Sequence, residues 1–531
     1  MQSRSLAFLN FWHPFACLGF SPRCRQDDAA SYQSLGTGDT DSESVDSEET
    51  LRLASVSASW YEWRDFYGQI LGLTDMQKPR SRKLRVGTLC SGTDSPVAAI
   101  KHLIGGHNME HVFTCDHDVM SQKFIKENFE PNHMYHNTSE FAIPSGGYCC
   151  ICGDHQCQAM MEPLDVLVVG FPCKPHSIQN VNRFEDTDVW SKPAAQPFKH
   201  VAMYLRALPQ PPRVVILENV AGIQARKSGS TVKDFQLNQQ HVDFVMRGQM
   251  KKDGKSVKLG LEYLTEYHVL TLKGDAQSCG LPHKRTRVFF VLLHKAFFSK
   301  QAVDLFEQKH ELVGKRPMPK GNMEKFLQPE PGVEDDSDED EGPWGVGIIK
   351  RRRRSATSVD PSAMALPPAA ARDSIAFRNK HNLPLRDAPG GRPFSDMAPR
   401  ALLQSLHSVR EVETIDAMYC LYAKKNDGEY PEKMAIDISQ SLNRQRLRIG
   451  WTNTPTTKTD IVYGMQKLTL RQLFRIQGWP GRVTFPALSP DRQMRSLIGN
   501  MISTPTFGKL FMTMMATLKF DELTTWVPDA A

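Results

Sequence analysis

A thiol, a carboxylic acid and two guanidinium groups stand at the ends of apolar runs in this chain of 531 residues. The run Pro163-Leu164-Asp165-Val166-Leu167-Val168-Val169-Gly170-Phe171-Pro172-Cys173 reads as a buried strand that stops abruptly, delivering the Cys173 thiol to the carboxyl edge of a sheet. A second apolar run, Val214-Val215-Ile216-Leu217, ends in Glu218-Asn219-Val220, so an acid and an amide reach the same edge. The segment Gln277-Ser278-Cys279-Gly280-Leu281-Pro282-His283-Lys284-Arg285-Thr286-Arg287 sets two arginines two residues apart before a further strand. A nucleophile and an acid therefore share one site. Taken singly each has a plainer reading: Cys173 as a core cysteine, Glu218 as a helix-start acid, the arginines as a solvated pair.

These groups need a scaffold that brings strand ends together. Short apolar runs at 84–89, 111–115, 166–170, 214–217 and 288–293 alternate with helical patterns such as Val201, Tyr204, Leu205 and Leu208. That alternation predicts an α/β fold, a doubly wound, mostly parallel sheet with helices on both faces. Trp60, Trp63, Phe66, Tyr67, Ile70 and Leu71 recur at helical spacing and predict an amphipathic helix within 59–83 docking on the domain that follows. Thr469-Leu470-Arg471-Gln472 is a capping box opening a helix that Gly478 and Pro480 close, and another apolar helix spans about 506–518.

Composition bounds the rest. The chain is 40% hydrophobic with a net charge of +6 and a mean hydropathy of −0.42, enough for more than one packed core with polar segments left over. The apolar stretch 6–20 is broken by Asn10, His13 and Pro14 and is too short to span a bilayer, so no membrane association is expected. Residues 1–26 carry Arg4, Arg23 and Arg25 and no acid, a composition an organelle presequence would share, without a clear cleavage signature. The eleven cysteines are few and unevenly spaced, which fits a reducing compartment. The expected organisation is a disordered tail over 1–58, the docking helix over 59–83 and a catalytic domain over 84–298. A second region over 299–465 carries a disordered charged insertion near 330–372, and 466–520 returns to the catalytic domain. No internal repeat is found.

A small-molecule pocket is suggested by Leu84-Arg85-Val86-Gly87-Thr88-Leu89-Cys90-Ser91-Gly92-Thr93-Asp94-Ser95-Pro96, a strand running into a turn where backbone can approach a ligand closely. Asp116, after the next strand, could accept from ribose hydroxyls, and His117 could stack on a purine. Asn137 follows a third strand, and Gln493-Met494-Arg495-Ser496-Leu497-Ile498-Gly499-Asn500 lies near the end.

Taken in order, the turn at Gly92, Pro172-Cys173, Glu218-Asn219-Val220, Arg285-x-Arg287, the stretch 468–480 and Gly499-Asn500 resemble the motifs of the cytosine-C5 DNA methyltransferase family, over roughly 84–295 and 465–515. One such tripeptide is cheap; six in sequence are not. The resemblance implies a class I methyltransferase, Rossmann-like fold with a smaller target-recognition lobe over 299–465. It implies S-adenosylmethionine as cofactor, double-stranded DNA as substrate and a nuclear location. By the resemblance, Cys173 adds to cytosine C6, Glu218 bonds ring N3 and the exocyclic amine, Asn219 shapes the loop, Arg287 holds O2 and Arg285 is a neighbouring contact. Leu89, Cys90, Gly92, Thr93, Asp116, His117, Asn137, Pro172, Asn500 and Ile502 are carried over as cofactor contacts. Attack on the ring face requires the base to flip out of its stack.

The chain departs from the family pattern at Lys174, Pro175 and His176 after the cysteine, at His283 where Gln is common, and at Asn137 where Asp is usual. Thr93, Asp94 and Ser95 replace a glycine-richer turn. Lys174 could help ionise the thiol. Two other functions stay open: a tRNA cytosine-5 methyltransferase, against which the Gly-Phe-Pro-Cys context and the absence of that branch's Cys-Phe-Thr signature argue, and a catalytically silent chromatin-binding homologue, against which the intact Cys173, Glu218 and Arg287 count.

Two features fall outside that pattern. Cys149, Cys150, Cys152, His155 and Cys157 include a Cys-x-x-Cys-Gly knuckle that can supply half of a tetrahedral zinc site, with His155 and Cys157 completing it; a reduced surface loop is the alternative. The run 350–354 is wholly basic and reads as a nuclear import signal or phosphate-binding arm, or as a counter-run to the acidic 335–341. Through such charged tails, chromatin partners are conceivable.

Overall fold

The computed structural model describes residues 62–78, 80–142, 146–173, 193, 196–224, 249–252, 255–258, 266–327, 364–406, 408–481, 483–487 and 489–518. The expected tail, Trp60, Lys174 and the charged runs 335–341 and 350–354 lie outside them.

In chain order the larger elements are α1 (Glu62–Leu71), β1 (Leu84–Leu89), α2 (Ser95–Ile104), β2 (Met109–Cys115), α3 (Val119–Asn128), β3 (His133–Tyr135), β4 (Val166–Val169), α4 (Gln196–Ala207) and β5 (Val214–Val220). A hairpin of β6 (Gln249–Lys252) and β7 (Lys255–Lys258) precedes β8 (Tyr267–Asp275), β9 (Thr286–His294), α5 (Lys300–Gly314) and α6 (Met323–Leu327). There follow α7 (Pro368–His381), α8 (Pro393–Met397), α9 (Arg400–Ser405), α10 (Val409–Lys425), β10 (Ala435–Asp437), β11 (Ile461–Tyr463), β12 (Gln466–Lys467), α11 (Leu470–Ile476), α12 (Asp491–Asn500) and α13 (Thr504–Leu518).

The main sheet has the order β3-β2-β1-β4-β5-β9-β8. Strands β1 to β5 pair in parallel, whereas β9 runs antiparallel to β5 and to β8. The fold is thus the expected doubly wound, mostly parallel sheet. Its central strand β4 is apolar at every position because both faces are covered. Val166 and Val168 pack into one core with Val97, Ile100 and Phe511, while Leu167 and Val169 pack into another with Phe198, Val201 and Tyr204. The chain leaves β1 for β2 on one side and returns to β4 on the other, so the crevice beyond the carboxyl ends of β1 and β4 is a topological switch point, the usual ligand position in such sheets.

The docking helix is present as α1, with Trp63, Tyr67 and Leu71 buried. It fits α13 because Gly508 has no side chain: a Cβ there would lie 2.2 Å from the Trp63 ring. The Tyr67 hydroxyl donates to Ser278 O at 2.6 Å.

Two expected boundaries move. Phe298, Val303, Phe306, Val313, Met323 and Phe326 bury themselves in the main core, so α5 and α6 belong with the main sheet and not with a lobe starting at 299. The insertion expected to stay unstructured through 372 gives way to helix at Pro368, a residue suited to a first helical turn. From α7 to β11 a smaller lobe has its own core of Phe377, Phe394, Leu403, Ile415, Met418, Ile436 and Val462. A buried Arg378–Glu413 pair at 2.8 Å ties α7 to α10 there.

Candidate active site

Register alone assembles the reacting edge. In the parallel pairing of β4 and β5, Val169 lies opposite Leu217, which carries Gly170 to the level of Glu218 and Phe171 to that of Asn219. The Asn219 Nδ2 accordingly donates to Phe171 O at 3.2 Å, while its Oδ1 accepts from Val220 N at 2.8 Å. Asn219 is fully buried and staples the Cys173 loop to the end of β5. On the other side β9 places Arg287 opposite Val220, and Arg287 Nε reaches Glu218 Oε1 at 2.8 Å. Gly170 keeps the crossing tight, since a Cβ there would meet Cys90 O at 3.0 Å, with Glu218 Oε2 and Ile502 Cδ1 each at 4.0 Å.

The electrostatics follow from burial among mixed charges. Burial pushes the Glu218 carboxyl above its ordinary range, against the opposing pull of Arg287 and Arg285. Burial, followed by the neighbouring Glu218 carboxylate, pushes the Cys173 thiol up, and the same two arginines oppose it. Burial thus raises the proton affinity of both the thiol and the acid, and the two arginines hold that rise in check.

Arg285, whose charge also acts on Cys173 and Glu218, is held by backbone carbonyls. It is 2% exposed and its guanidinium donates to Pro455 O at 2.8 Å, Gly499 O at 2.7 Å and Met501 O at 2.8 Å. With those bonds made, it is a clamp between β9, the segment before β11 and the α12–α13 junction, and Arg287 alone of the pair touches Glu218. Sequence reasoning missed that clamped segment. Thr452 N donates to Pro282 O at 2.7 Å, Thr454 Oγ1 donates to Lys284 O, and His283 bridges to Thr452, so residues 452–455 lie along the reacting edge. The one hint was the polar Thr-Asn-Thr-Pro-Thr-Thr composition, which no helix or strand pattern explains.

The cofactor candidates gather on the neighbouring strand ends. Leu89 is buried at the end of β1. Cys90, Gly92 and Asp94 then adopt left-handed backbone, with φ of 51°, 59° and 51°. The Gly92 N–H donates to Asp116 Oδ2 at 2.7 Å, and Asp118 N donates to Oδ1 at 2.9 Å, so Asp116 first of all shapes the turn. Beyond Gly92 the space is open, the Thr93 hydroxyl is buried without a hydrogen-bond partner, and the His117 side chain is 81% exposed. Asn137 is exposed and its Oδ1 accepts from Ser139 N at 3.0 Å. Pro172 is half-buried beside Cys173, Asn500 is exposed at the end of α12, and Ile502 is buried against the Gly170 crossing. The structure thus brings Cys173, Glu218, Asn219 and Arg287 together, with the Gly92 turn on the adjoining strand.

Comparisons with known proteins bear on this arrangement. A family model for C-5 cytosine-specific DNA methylase matches residues 89–515. The chain is 27% identical over 221 residues to the DNA (cytosine-5-)-methyltransferase DMT5 of Cryptococcus neoformans var. grubii, covering 39% of this chain and 8% of that protein. Over 123 residues it is 29% identical to DMT5 of Verticillium dahliae, covering 21% of this chain and 5% of that protein. It therefore spans under a tenth of the length of these curated relatives. Among solved structures, the Dnmt2 methyltransferase of S. pombe superposes with a TM-score of 0.38 at 13% identity, covering 82% of this chain and 98% of the other.

Proposed function

This chain belongs to the C-5 cytosine-specific DNA methylase family, and from that premise we propose that it transfers the methyl group of S-adenosylmethionine to C5 of a cytosine flipped out of double-stranded DNA. The observation that carries the reading is the convergence of Cys173, Glu218 and Arg287 on one sheet edge, with Glu218 and Arg287 2.8 Å apart.

The turn after β1 fits the cofactor: open space at Gly92, an unpartnered Thr93 hydroxyl, the Asp116 carboxylate and the exposed His117 ring offer hydrogen bonds and a stacking face. Leu89, Cys90, Pro172, Asn137, Asn500 and Ile502 would complete the pocket. S-adenosylmethionine supplies a methyl group made electrophilic by its sulfonium.

C5 of cytosine is a poor nucleophile, so the residues must first enrich the ring. Cys173 Sγ, its proton passed to water, forms a bond to C6 as the C5–C6 π electrons shift through C4 toward N3, where Glu218 delivers a proton that offsets the charge developing on addition. Arg287 turns from Glu218 to hold O2. After methyl transfer a base or water removes the C5 proton, the electron pair re-forms the C5–C6 double bond, and the Cys173–C6 bond breaks with its pair on sulfur while N3 returns its proton to Glu218. The smaller lobe would read the target, and the basic run 350–354 would direct the chain to the nucleus.

Labelled methyl transfer to duplex DNA and to tRNA, with wild type and Cys173→Ser, tests the proposal. Label on DNA is expected, lost in Cys173→Ser, together with a covalent adduct on duplex DNA containing 5-fluorocytosine. Label on tRNA alone, or on neither substrate, overturns it.

A further inference from the structure

The connection from β3 to β4, residues 136–165, has little regular structure: two short 3-10 turns, Thr138–Ala142 and Ala159–Met161, are described within it. A connection of that length seldom holds its shape without a staple. Isolated bridges fold it back as Tyr135 to Cys149 and Gly147 to Cys157, and Cys149 and Cys157 are buried where the two meet.

The fold brings an unforeseen fourth group to these thiols. His133, on β3, places Nδ1 3.6 Å from Cys149 Sγ and 3.4 Å from Cys157 Sγ. With Cys152, the four donor atoms lie within 4.8 Å of one another. Zinc bonds of about 2.3 Å to sulfur and 2.0–2.1 Å to nitrogen in a tetrahedron require sulfur and nitrogen about 3.6 Å apart, which these pairs match. Cys149-Cys150-Ile151-Cys152-Gly153 turns as a knuckle, with Gly153 at φ 71° and backbone hydrogen bonds from Cys152 and Ile151 to the Cys149 sulfur. The Tyr135 hydroxyl donates to Cys157 Sγ at 3.2 Å, an outer-shell bond of the kind that orients a metal ligand. His155, the ligand expected from spacing, instead packs its ring on Tyr148, with centroids 4.8 Å apart. Cys150 is left out of the set as well.

We propose that His133, Cys149, Cys152 and Cys157 bind one zinc ion, a closed structural site that pins the edge of the sheet. Three thiolates and an imidazole form a soft donor set suited to zinc and not to calcium or magnesium, and no ligand position is left open for catalysis. The ion would fix β3 four residues before Asn137 and so brace the rim of the cofactor pocket.

Metal analysis of the full chain, purified without chelators, tests this. About one zinc per chain is expected, lost in Cys149→Ser and His133→Ala but retained in Cys150→Ser and His155→Ala. Because the first two variants could fail to fold, the wild type exchanged with cobalt supplies an independent readout: intense tetrahedral d–d bands with thiolate charge transfer. Zinc at background, octahedral cobalt, or a site kept without His133 but lost without His155 each overturns the proposal.

Discussion

At the reacting edge the ionisation order of two side chains sets the pH behaviour. Burial raises both the Glu218 carboxyl and the Cys173 thiol, and the reaction needs the acid protonated and the thiol ionised. That form carries one proton, as does the resting pair, so its fraction is level between the two ionisations and falls on either side. Methyl transfer should therefore hold a plateau between those two ionisations. In Glu218→Gln the plateau and the alkaline fall disappear, and the rate, lowered about 10²–10⁴-fold, should climb roughly tenfold per pH unit toward the thiol's ionisation. A level profile in that variant would show that Glu218 gives no proton. A second titration lies beneath the cofactor turn. Asp94 is fully buried, 3.6 Å from the His111 ring, and burial lifts its carboxyl from 3.8 to about 7. A folded-state value above the unfolded one means its contribution to stability is complete below about pH 4 and lost as pH rises through 7, by up to about 4 kcal/mol. Asp94→Asn should thus gain on wild type between pH 4 and pH 8 in denaturant melts; a gap that stays constant with pH would exclude the effect. Cys173 and Glu218 were legible in the sequence because each ends a continuous apolar strand. Arg285 and His133 were not: a sequence displays a charge or an imidazole, but not the carbonyls or thiols that folding gathers around it.

The elements that position these groups were legible where both sheet faces are covered, since β4, β5 and β9 contain unbroken apolar runs and β1 and β2 are apolar at most positions. Strand β8 was not, because Tyr267–Asp275 alternates buried and exposed positions at the sheet's edge and leaves no such run. The capping box at Thr469 and Gln472 is present in both directions, Gln472 N to Thr469 Oγ1 at 3.2 Å and Thr469 N to Gln472 Oε1 at 2.9 Å, which is why α11 could be placed from four residues. Helix α1 was legible as an apolar stripe, but its seat was not, since a glycine in α13 carries no pattern. That seat can be tested from both sides. Gly508→Ala would drive a methyl into the Trp63 ring and cost about 1–3 kcal/mol, whereas Trp63→Ala empties the same space and costs about 3–5 kcal/mol. In the double variant the alanine at 508 has room, so the two losses should fall short of additivity. Strict additivity in thermal melts would mean that α1 does not dock there.

Across the whole molecule, the site depends on segments distant in sequence that meet at one buried guanidinium. Arg285 binds Pro455 O, 170 residues away, and Gly499 O and Met501 O, 214 and 216 residues away. Next to this clamp, Gly499 lets α12 end flush on the preceding segment, for a Cβ there would stand 2.1 Å from Thr457 N. The lobe's 452–455 segment, the α12–α13 junction with Ile502, and β9 with Arg287 are thereby locked in one arrangement. Arg285→Met keeps the bulk, removes the donors and strands three buried carbonyls, a loss on the order of 3–5 kcal/mol. Arg287→Met removes a side chain that is 13% exposed at the site and whose proposed partner is the base. The two substitutions should therefore separate cleanly. Arg285→Met should lower the melting temperature and weaken cofactor binding and methyl transfer together, while Arg287→Met should leave the melting temperature within a few degrees and lose methyl transfer. Calorimetry alongside the transfer assay checks both; an Arg285→Met enzyme that melts like wild type yet is inactive would return Arg285 to the chemistry and remove it from the scaffold.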